Sequence, residues 1–206
     1  GNGEDGKRFL HLEFHNMTGH GGGPDRDGQE GGPYCLGNLA NTPIEYVEAD
    51  SPLLIEEYAL MPDTGGAGEW RGALGIVRQY RLLAPSATVN LRSDRHKHEC
   101  WGLFGGKGGK PARSIRNPDG EAEEVPSKFV LEFRRDEVFR AEMAASGGYG
   151  EPWKRDPARV VEDLRQEKIT VGHAREAYGV VVDPATFEVD LAATEKARSA
   201  MTNARP

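Results

Sequence analysis

Glycine is spread through most of this chain, and that distribution restricts the fold more than any other feature of the sequence. The 206 residues include 27 glycines, about 13%, and all but Gly172 and Gly179 lie before residue 151; the usual share is about 7%. A glycine inside a helix costs about 1 kcal/mol relative to alanine, whereas tight turns use it readily because it has no Cβ. We therefore expect most of the chain to form strands joined by short turns.

Alternating apolar and polar residues predict where those strands lie. In the first of them, Leu10, Leu12 and Phe14 are expected to share one buried face. Short strands separated by Gly and Pro turns are typical of a sandwich or barrel-like β domain. Seven segments are predicted as strands on this basis: Arg8–Asn16, Ile44–Asp50, Leu54–Leu60, Gly75–Leu83, Thr88–Ser93, Lys128–Arg134 and Val138–Met143.

The pattern becomes helical after Pro152. Asp156 followed by Pro157 is typical of a helix N-cap with proline in the first turn. Gly179 can end a second helix in the left-handed conformation, and Asp190 can cap a third. The end of the chain is therefore predicted to consist of helices that apolar residues hold together.

These patterns together predict a mainly β fold, α+β overall, with Gly-rich turns and a C-terminal helical segment. We expect a β-rich domain over residues 1–152 and a helical tail over residues 153–206 packed on it. Because the chain starts at Gly1 without methionine and in the middle of a pattern, we also expect it to be a fragment of a longer subunit.

Charge and hydropathy exclude several classes of protein. The formal net charge is −7, which argues against a general nucleic-acid binder because phosphate neutralisation needs clustered cations. The sequence has no long apolar run and no leader pattern, so we expect a cytoplasmic protein without a membrane segment. Basic residues nevertheless dominate between Arg92 and Arg116. This basic segment can meet a small anion or an acidic partner surface, or form a solvated loop.

In the segment 105–110 each of two lysines follows a pair of glycines, a composition similar to that of a phosphate-binding loop. A Walker A loop requires glycine where this chain has Phe104, and Ser or Thr where it has Pro111. The segment is therefore not a Walker A loop. An anion-binding nest of backbone N–H groups and a plain tight connection both remain open.

Two segments alternate histidine with carboxylate or thiol side chains, a spacing that a transition metal accepts on a strand. The polar side of a half-buried strand also normally faces water, and no HExxH or other tight signature supports a metal. We therefore expect no metal site in this chain. The two sets are His11, Glu13 and His15, and Asp94, His96, His98 and Cys100.

Several motifs in series are more specific than any of these patterns. In order and spacing they resemble the carboxyl-terminal part of the hydantoinase B/5-oxoprolinase family, to which the B-type subunits of ATP-dependent hydantoinases and a subunit of acetone-type carboxylases belong. The resemblance extends from about Gly19 to Arg198. The motifs are Gly22–Gly28, Asn38–Glu45, Pro62–Gly72, Ser93–Arg95, Trp101–Lys107, Gly147–Pro152 and Tyr178–Val180.

The resemblance implies a part of an enzyme that hydrolyses a cyclic amide such as hydantoin, N-methylhydantoin or 5-oxoproline. It implies an A-type ATP-binding partner subunit, and a divalent metal held by a part of the family that this chain lacks, so no cofactor is expected on this chain itself. A subunit of an acetone-carboxylase-type enzyme is the alternative within the family. A non-catalytic module that docks the A-type subunit or a second copy of the chain is the alternative outside catalysis.

Five residues within or beside these motifs are candidate catalytic residues. Arg71 and Arg95 could bind a phosphate or a substrate carboxylate with two parallel hydrogen bonds. Asp63, Asp94 and Glu45 could orient those groups or move protons. The same residues could instead form internal ion pairs that fix the glycine-rich loops.

Overall fold

The computed structural model describes residues 1–13, 19–32 and 42–203. Over these residues the strands lie in the first three quarters of the chain and the longer helices follow them. The helices are α1 (Ile44–Asp50), α2 (Pro157–Arg165), α3 (Val171–Tyr178) and α4 (Leu191–Asn203), with a 3₁₀ turn at Pro152–Lys154. The strands are β1 (Leu53–Met61), β2 (Gly75–Leu82), β3 (Ser86–Arg92), β4 (Arg113–Arg116), β5 (Glu123–Glu124), β6 (Lys128–Arg134) and β7 (Val138–Glu142).

The strands form two antiparallel sheets. One has five strands in the order β1-β2-β7-β4-β5, and the other pairs β3 with β6. In the larger sheet Tyr80 of β2 lies between Ile55 of β1 and Phe139 of β7. The predicted mainly β, α+β fold is therefore confirmed.

An apolar layer joins the two sheets. Phe133 of β6 and Leu82 of β2 are 1% and 5% exposed, and the Phe139 ring of β7 meets Phe129 and Phe133 of β6 edge to face at 5.9 and 6.1 Å. Phe129, Leu131 and Phe133 of β6 face this layer and the residues between them are exposed, as the sequence pattern predicts. The layer fixes how the smaller sheet lies on the larger one.

Two predicted strands are wrong. Residues 44–50 form a helix, since Pro43 at its N-cap and a single buried side chain, Val47, suit a short helix of about two turns on a surface better than a pleated face. In the first predicted strand, residues 8–13 contribute only an isolated bridge from Arg8, and residues 14–16 lie outside the described residues. The expected orientation is inverted there, since Leu10 and Leu12 are 81% and 64% exposed.

Glu13 explains this inversion. Arg78 of β2 is fully buried, and Glu13 forms an ion pair with it. A buried guanidinium without a carboxylate is very costly, so the segment turns its acid inward and its leucines outward. Strands β4 and β5 were not predicted because they are short and rich in charged residues.

The helical tail follows its predicted signals. Asp156 accepts a hydrogen bond from the Ala158 N–H at 2.9 Å at the start of α2, and Gly179 ends α3 at φ 64°. Asp190 accepts one from the Ala193 N–H at 2.9 Å at the start of α4. Apolar side chains of the tail, such as the fully buried Tyr178, pack together and against Ala67 of the preceding β-rich part. Among the described residues, no helix combines the length and the apolar character needed to cross a bilayer.

Candidate functional site

Four glycine-rich segments meet between the sheets and the helical tail, at about residues 19–28, 65–75, 102–109 and 145–150. Their backbones bond directly to one another: the Gly22 N–H donates to the Gly147 carbonyl at 2.9 Å, and the Gly66 N–H donates to the Ser146 carbonyl at 2.8 Å. A Cβ on Gly72 would collide with the Ser146 carbonyl. Glycine is needed here because the backbone segments lie closer together than a side chain between them would permit.

These contacts decide between the two interpretations of the segment 105–110. The Lys107 N–H donates to the Ala67 carbonyl at 2.7 Å and the Gly109 N–H to the Cys100 carbonyl at 3.0 Å. The carboxylate of Glu151 lies beside Gly105. Backbone carbonyls and a carboxylate occupy the positions that an anion would need, so this segment is a tight connection.

A cleft of about 260 Å³ opens on the surface of this glycine cluster. Its floor is glycine backbone, including Gly147, and its walls include Arg95, Cys100, Trp101 and Leu103. We call it the glycine cleft. Because its floor carries no charge, the character of the cleft depends on the side chains of its walls.

Arg95 provides the charge of the glycine cleft. Its guanidinium carbon lies 5.5 Å from the centre of the Trp101 ring, and its Nη1 donates to the Glu99 carbonyl at 3.4 Å. The Arg95 backbone adopts φ 63°, which is uncommon for a residue with a Cβ. The side chain is exposed and is therefore accessible to an anion that enters the cleft.

Arg71 lies elsewhere, inside the protein. It is 1% exposed, and its guanidinium contacts Glu30 at 2.7 Å and Asp163 at 3.4 Å and donates to the Gly72 carbonyl at 2.8 Å. Both carboxylates belong to other segments, so the interactions of Arg71 are those of an internal ion pair that ties a glycine loop to α2.

Asp63 also joins the β-rich part to the helical tail. Its two carboxylate oxygens accept hydrogen bonds from the backbone N–H and the hydroxyl of Thr170, at 2.7 and 2.8 Å. The Asp63 backbone has φ 60°, in the left-handed region. Thr170 in turn caps α3, so Asp63 fixes the start of that helix.

The other two predicted residues lie on the surface. Asp94 pairs with Lys128 at 2.9 Å, and the hydrogen bond and charge of that lysine lower the pKa of the carboxyl. Glu45 is exposed in the first turn of α1. The five predicted residues therefore do not converge on one site: Arg95 lies at the glycine cleft, with Asp94 beside it in the sequence, and the other three lie apart.

A buried charge cluster, centred on Arg155, was missed by the sequence analysis. Arg155 is 1% exposed and donates to both oxygens of Asp27, at 2.6 and 2.9 Å, and to Asp163 at 2.7 Å. Burial alone would lower the pKa of Arg155, but its hydrogen bonds and the two carboxylate charges raise it instead. Arg155 and Asp27 are 128 positions apart, so no local pattern reveals the pair.

The two histidine segments differ from a metal site. Residues 93–99 are not in a strand, so the expected alternation of Asp94, His96 and His98 on one face is absent. Glu13 is engaged by Arg78, and His15 lies outside the described residues. Within the residues that the structure describes, no group of three or more His, Cys, Asp or Glu side chains could hold a metal ion.

Comparison with known proteins identifies relatives for this arrangement. The sequence model of the hydantoinase B/oxoprolinase family matches residues 1–152. Caprolactamase subunit beta of Pseudomonas jessenii is 34% identical over 171 residues, covering 81% of this chain and 29% of that protein. Acetophenone carboxylase delta subunit of Aromatoleum aromaticum is 29% identical over 231 residues, covering 92% of this chain and 33% of that protein.

The fold agrees with a solved structure. The crystal structure of the ATP-dependent caprolactamase from Pseudomonas jessenii matches 88% of this chain and 32% of the matched chain, with a TM-score of 0.78 and 31% identity. The chain thus spans about a third or less of the length of the proteins it resembles.

Proposed function

Because the chain belongs to the hydantoinase B/oxoprolinase family, we propose that it is a domain of an ATP-dependent enzyme that hydrolyses a cyclic amide. The match to the ATP-dependent caprolactamase, which includes most of the chain at a TM-score of 0.78, carries this proposal. Substrates of this kind include hydantoins, 5-oxoproline and other lactams. We place the reaction in the cytoplasm, where ATP is available.

The chemistry explains why such an enzyme needs ATP. An amide carbonyl is a poor electrophile, and phosphorylation of its oxygen makes the carbonyl carbon more electrophilic. Water then adds to that carbon, the C–N bond breaks with the ring nitrogen leaving as a protonated group, and the resulting acyl phosphate is hydrolysed to the carboxylate and inorganic phosphate. Cationic donors then stabilise the anionic charge that develops on the reacting atoms. We propose that an A-type partner subunit binds the ATP, and that this chain supplies part of the surface against which the substrate is held.

Arg95 is the residue of this chain best placed to act on an anion. It is exposed at the glycine cleft, above an uncharged floor, and its guanidinium can bind a phosphate or carboxylate with two parallel hydrogen bonds. Asp94 and Lys128 flank it as an exposed ion pair. We propose Arg95 as a catalytic residue that contacts the phosphoryl group or the substrate carboxylate.

In this proposal the remaining candidate residues do not contact the substrate. Arg71 and Asp63 are positioning residues, because they hold the glycine loops against the helical tail through Asp163 and Thr170. Glu45, exposed on α1, is left as a residue that a partner subunit could contact. This division combines both roles foreseen for these side chains, the anion contact for Arg95 and the internal contacts for Arg71 and Asp63.

Substitution of Arg95 tests the proposal in the subunit that carries this chain, assembled with an A-type subunit. A charge-assisted hydrogen bond contributes about 1.5–3 kcal/mol, so Arg95→Ala should lower kcat/KM for ring opening by about 10- to 150-fold. The urea midpoint should be unchanged because the side chain is exposed. Arg95→Lys should restore only part of the activity, and Arg165→Ala, an exposed arginine on α2, is the matched control. Unchanged turnover in Arg95→Ala would refute the role of Arg95.

The relation to acetophenone carboxylase favours a second candidate function, carboxylation of a ketone. That reaction also activates a poor reactant with ATP but forms a C–C bond. Product analysis separates the two: ring-opened amide supports the hydrolase, and a carboxylated ketone formed from bicarbonate supports the alternative. Retention of A-type subunit binding with neither product would support a docking module.

A further inference from the structure

A second and larger cavity lies between the two sheets, with a volume of about 600 Å³. Its walls are mostly apolar and come from β2, β3, β6 and β7: Leu82, Val89, Leu91, Phe133 and Phe139. Cavities of about 300–1,000 Å³ with such walls commonly hold small molecules. We call it the inter-sheet cavity.

A polar edge interrupts the apolar wall where the segment 9–13 crosses the larger sheet. His11, Glu13 and Tyr80 line the inter-sheet cavity there. The Glu13 carboxylate accepts hydrogen bonds from the Tyr80 hydroxyl and from Nη1 of Arg78, and it lies 3.5 Å from Nε2 of His11. The carboxylate is therefore held in one position at the edge of an otherwise apolar space.

The charge at this edge is negative but compensated. Burial alone would raise the pKa of Glu13, yet hydrogen bonds from His11 and Tyr80 and the charge of Arg78 hold it below its usual value, so the group is ionised. Since Arg78 neutralises that charge, the cavity does not require a cationic ligand. A carboxylate has about four acceptor positions. The carboxylate of Glu13 lines the cavity, so it can accept a hydrogen bond from an N–H donor of a bound molecule.

The inter-sheet cavity also adjoins the glycine cleft. Arg95 and Cys100 line both spaces. A molecule bound between the sheets therefore lies beside the guanidinium to which we assign the anion contact. The two spaces together offer an apolar compartment with an N–H acceptor and, next to it, a cationic group.

We propose that the inter-sheet cavity binds a neutral, largely apolar ring compound that presents an N–H group to Glu13, and that a cyclic amide with an apolar substituent is the class that fits. The choice of cyclic amide rests on the proposed function. A bare five- to seven-membered ring would fill only a small part of about 600 Å³, so the substituent supplies most of the contact.

Calorimetric titration of the chain with 5-benzylhydantoin, without ATP, tests this inference. Val89 lines the cavity from β3, whereas Val130 on the paired strand β6 is 62% exposed and does not. We expect saturable binding that Val89→Phe weakens at least tenfold by filling the cavity, and that the matched variant Val130→Phe leaves within twofold. Tyr80→Phe, which removes the hydroxyl beside Glu13, should weaken binding severalfold without unfolding the chain.

Unsubstituted hydantoin should bind at least tenfold more weakly than 5-benzylhydantoin, because it lacks the apolar substituent. Absence of binding, equal binding by Val89→Phe and the original sequence, or equal binding of unsubstituted hydantoin would each overturn the inference. Turnover is measured separately: ring opening at normal kcat and KM by Val89→Phe would refute the cavity and leave the proposed function standing. Tight, cavity-dependent binding in an enzyme that opens no ring would support the cavity and refute the proposed function.

Discussion

Replacement of Arg155 by methionine should destabilise the fold more than any surface substitution. Arg155 is 1% exposed and donates to Asp27, to Asp163 and, at 3.1 Å, to the Glu69 carbonyl. Methionine keeps most of the volume but removes the charge, so Asp163, itself 4% exposed, loses its shortest cationic contact. Removal of one partner from a buried ion pair costs about 3–5 kcal/mol.

For a chain of this size, about 1 kcal/mol corresponds to a shift of about 2–4 °C in Tm. Arg155→Met should therefore lower Tm by roughly 6–20 °C and shift the urea midpoint in proportion, with unfolding followed by tryptophan fluorescence.

Arg159→Met is the matched control. Arg159 lies on α2, four residues after Arg155, is half exposed, and approaches Asp27 only to 3.8 Å. Exposed pairs contribute about 1 kcal/mol or less, so this variant should shift Tm by no more than a few degrees. If Arg155→Met and Arg159→Met lose the same small amount of stability, the buried charge cluster does not hold the tail in place.

Two further predictions concern acid stability and glycine packing. Burial lowers the pKa of His173 despite the neighbouring charge of Asp63. The unfolded chain therefore binds a proton more readily, and the free energy of unfolding should fall as the pH drops below about 6.5. His173→Gln should reduce the loss in urea midpoint between about pH 7.5 and pH 5. Gly72→Ala should cost about 1–3 kcal/mol or more by the same assay, because a Cβ would meet the Ser146 carbonyl. Gly120→Ala, with open space around the added methyl, should be near neutral, and equal effects of the two alanines would contradict the packing explanation.

The sequence correctly predicted the elements whose formation depends on neighbouring residues. The alternation of β6 and the caps at Asp156 and Gly179 depend on neighbouring residues alone, and the structure confirms them. The segment 44–50 was predicted as a strand because seven residues can fit a short strand pattern as well as about two helical turns. This segment is helical because only one of its side chains is buried, and the sequence alone does not show which side chains are buried.

The candidate site was harder to predict because its contacts join distant segments. Arg71 and Arg155 share Asp163, and no spacing rule connects an arginine in a glycine loop with a carboxylate in a later helix. Glu13 was expected on a solvated face and is turned inward by Arg78. In both cases a buried guanidinium pairs with a carboxylate that is distant in the sequence. The periodicity of a sequence indicates which apolar residues are buried, but not which charged residues pair.

The most direct test of the proposed function is ATP-dependent ring opening by the subunit that carries this chain, combined with an A-type subunit. With hydantoin, 5-oxoproline and caprolactam as substrates, we expect ring-opened product and ADP to form together, only when both subunits are present. Arg95→Ala should reduce both products in parallel. Ring opening that proceeds equally well without ATP, or ATP-dependent carboxylation of a ketone with no ring opened, would contradict it.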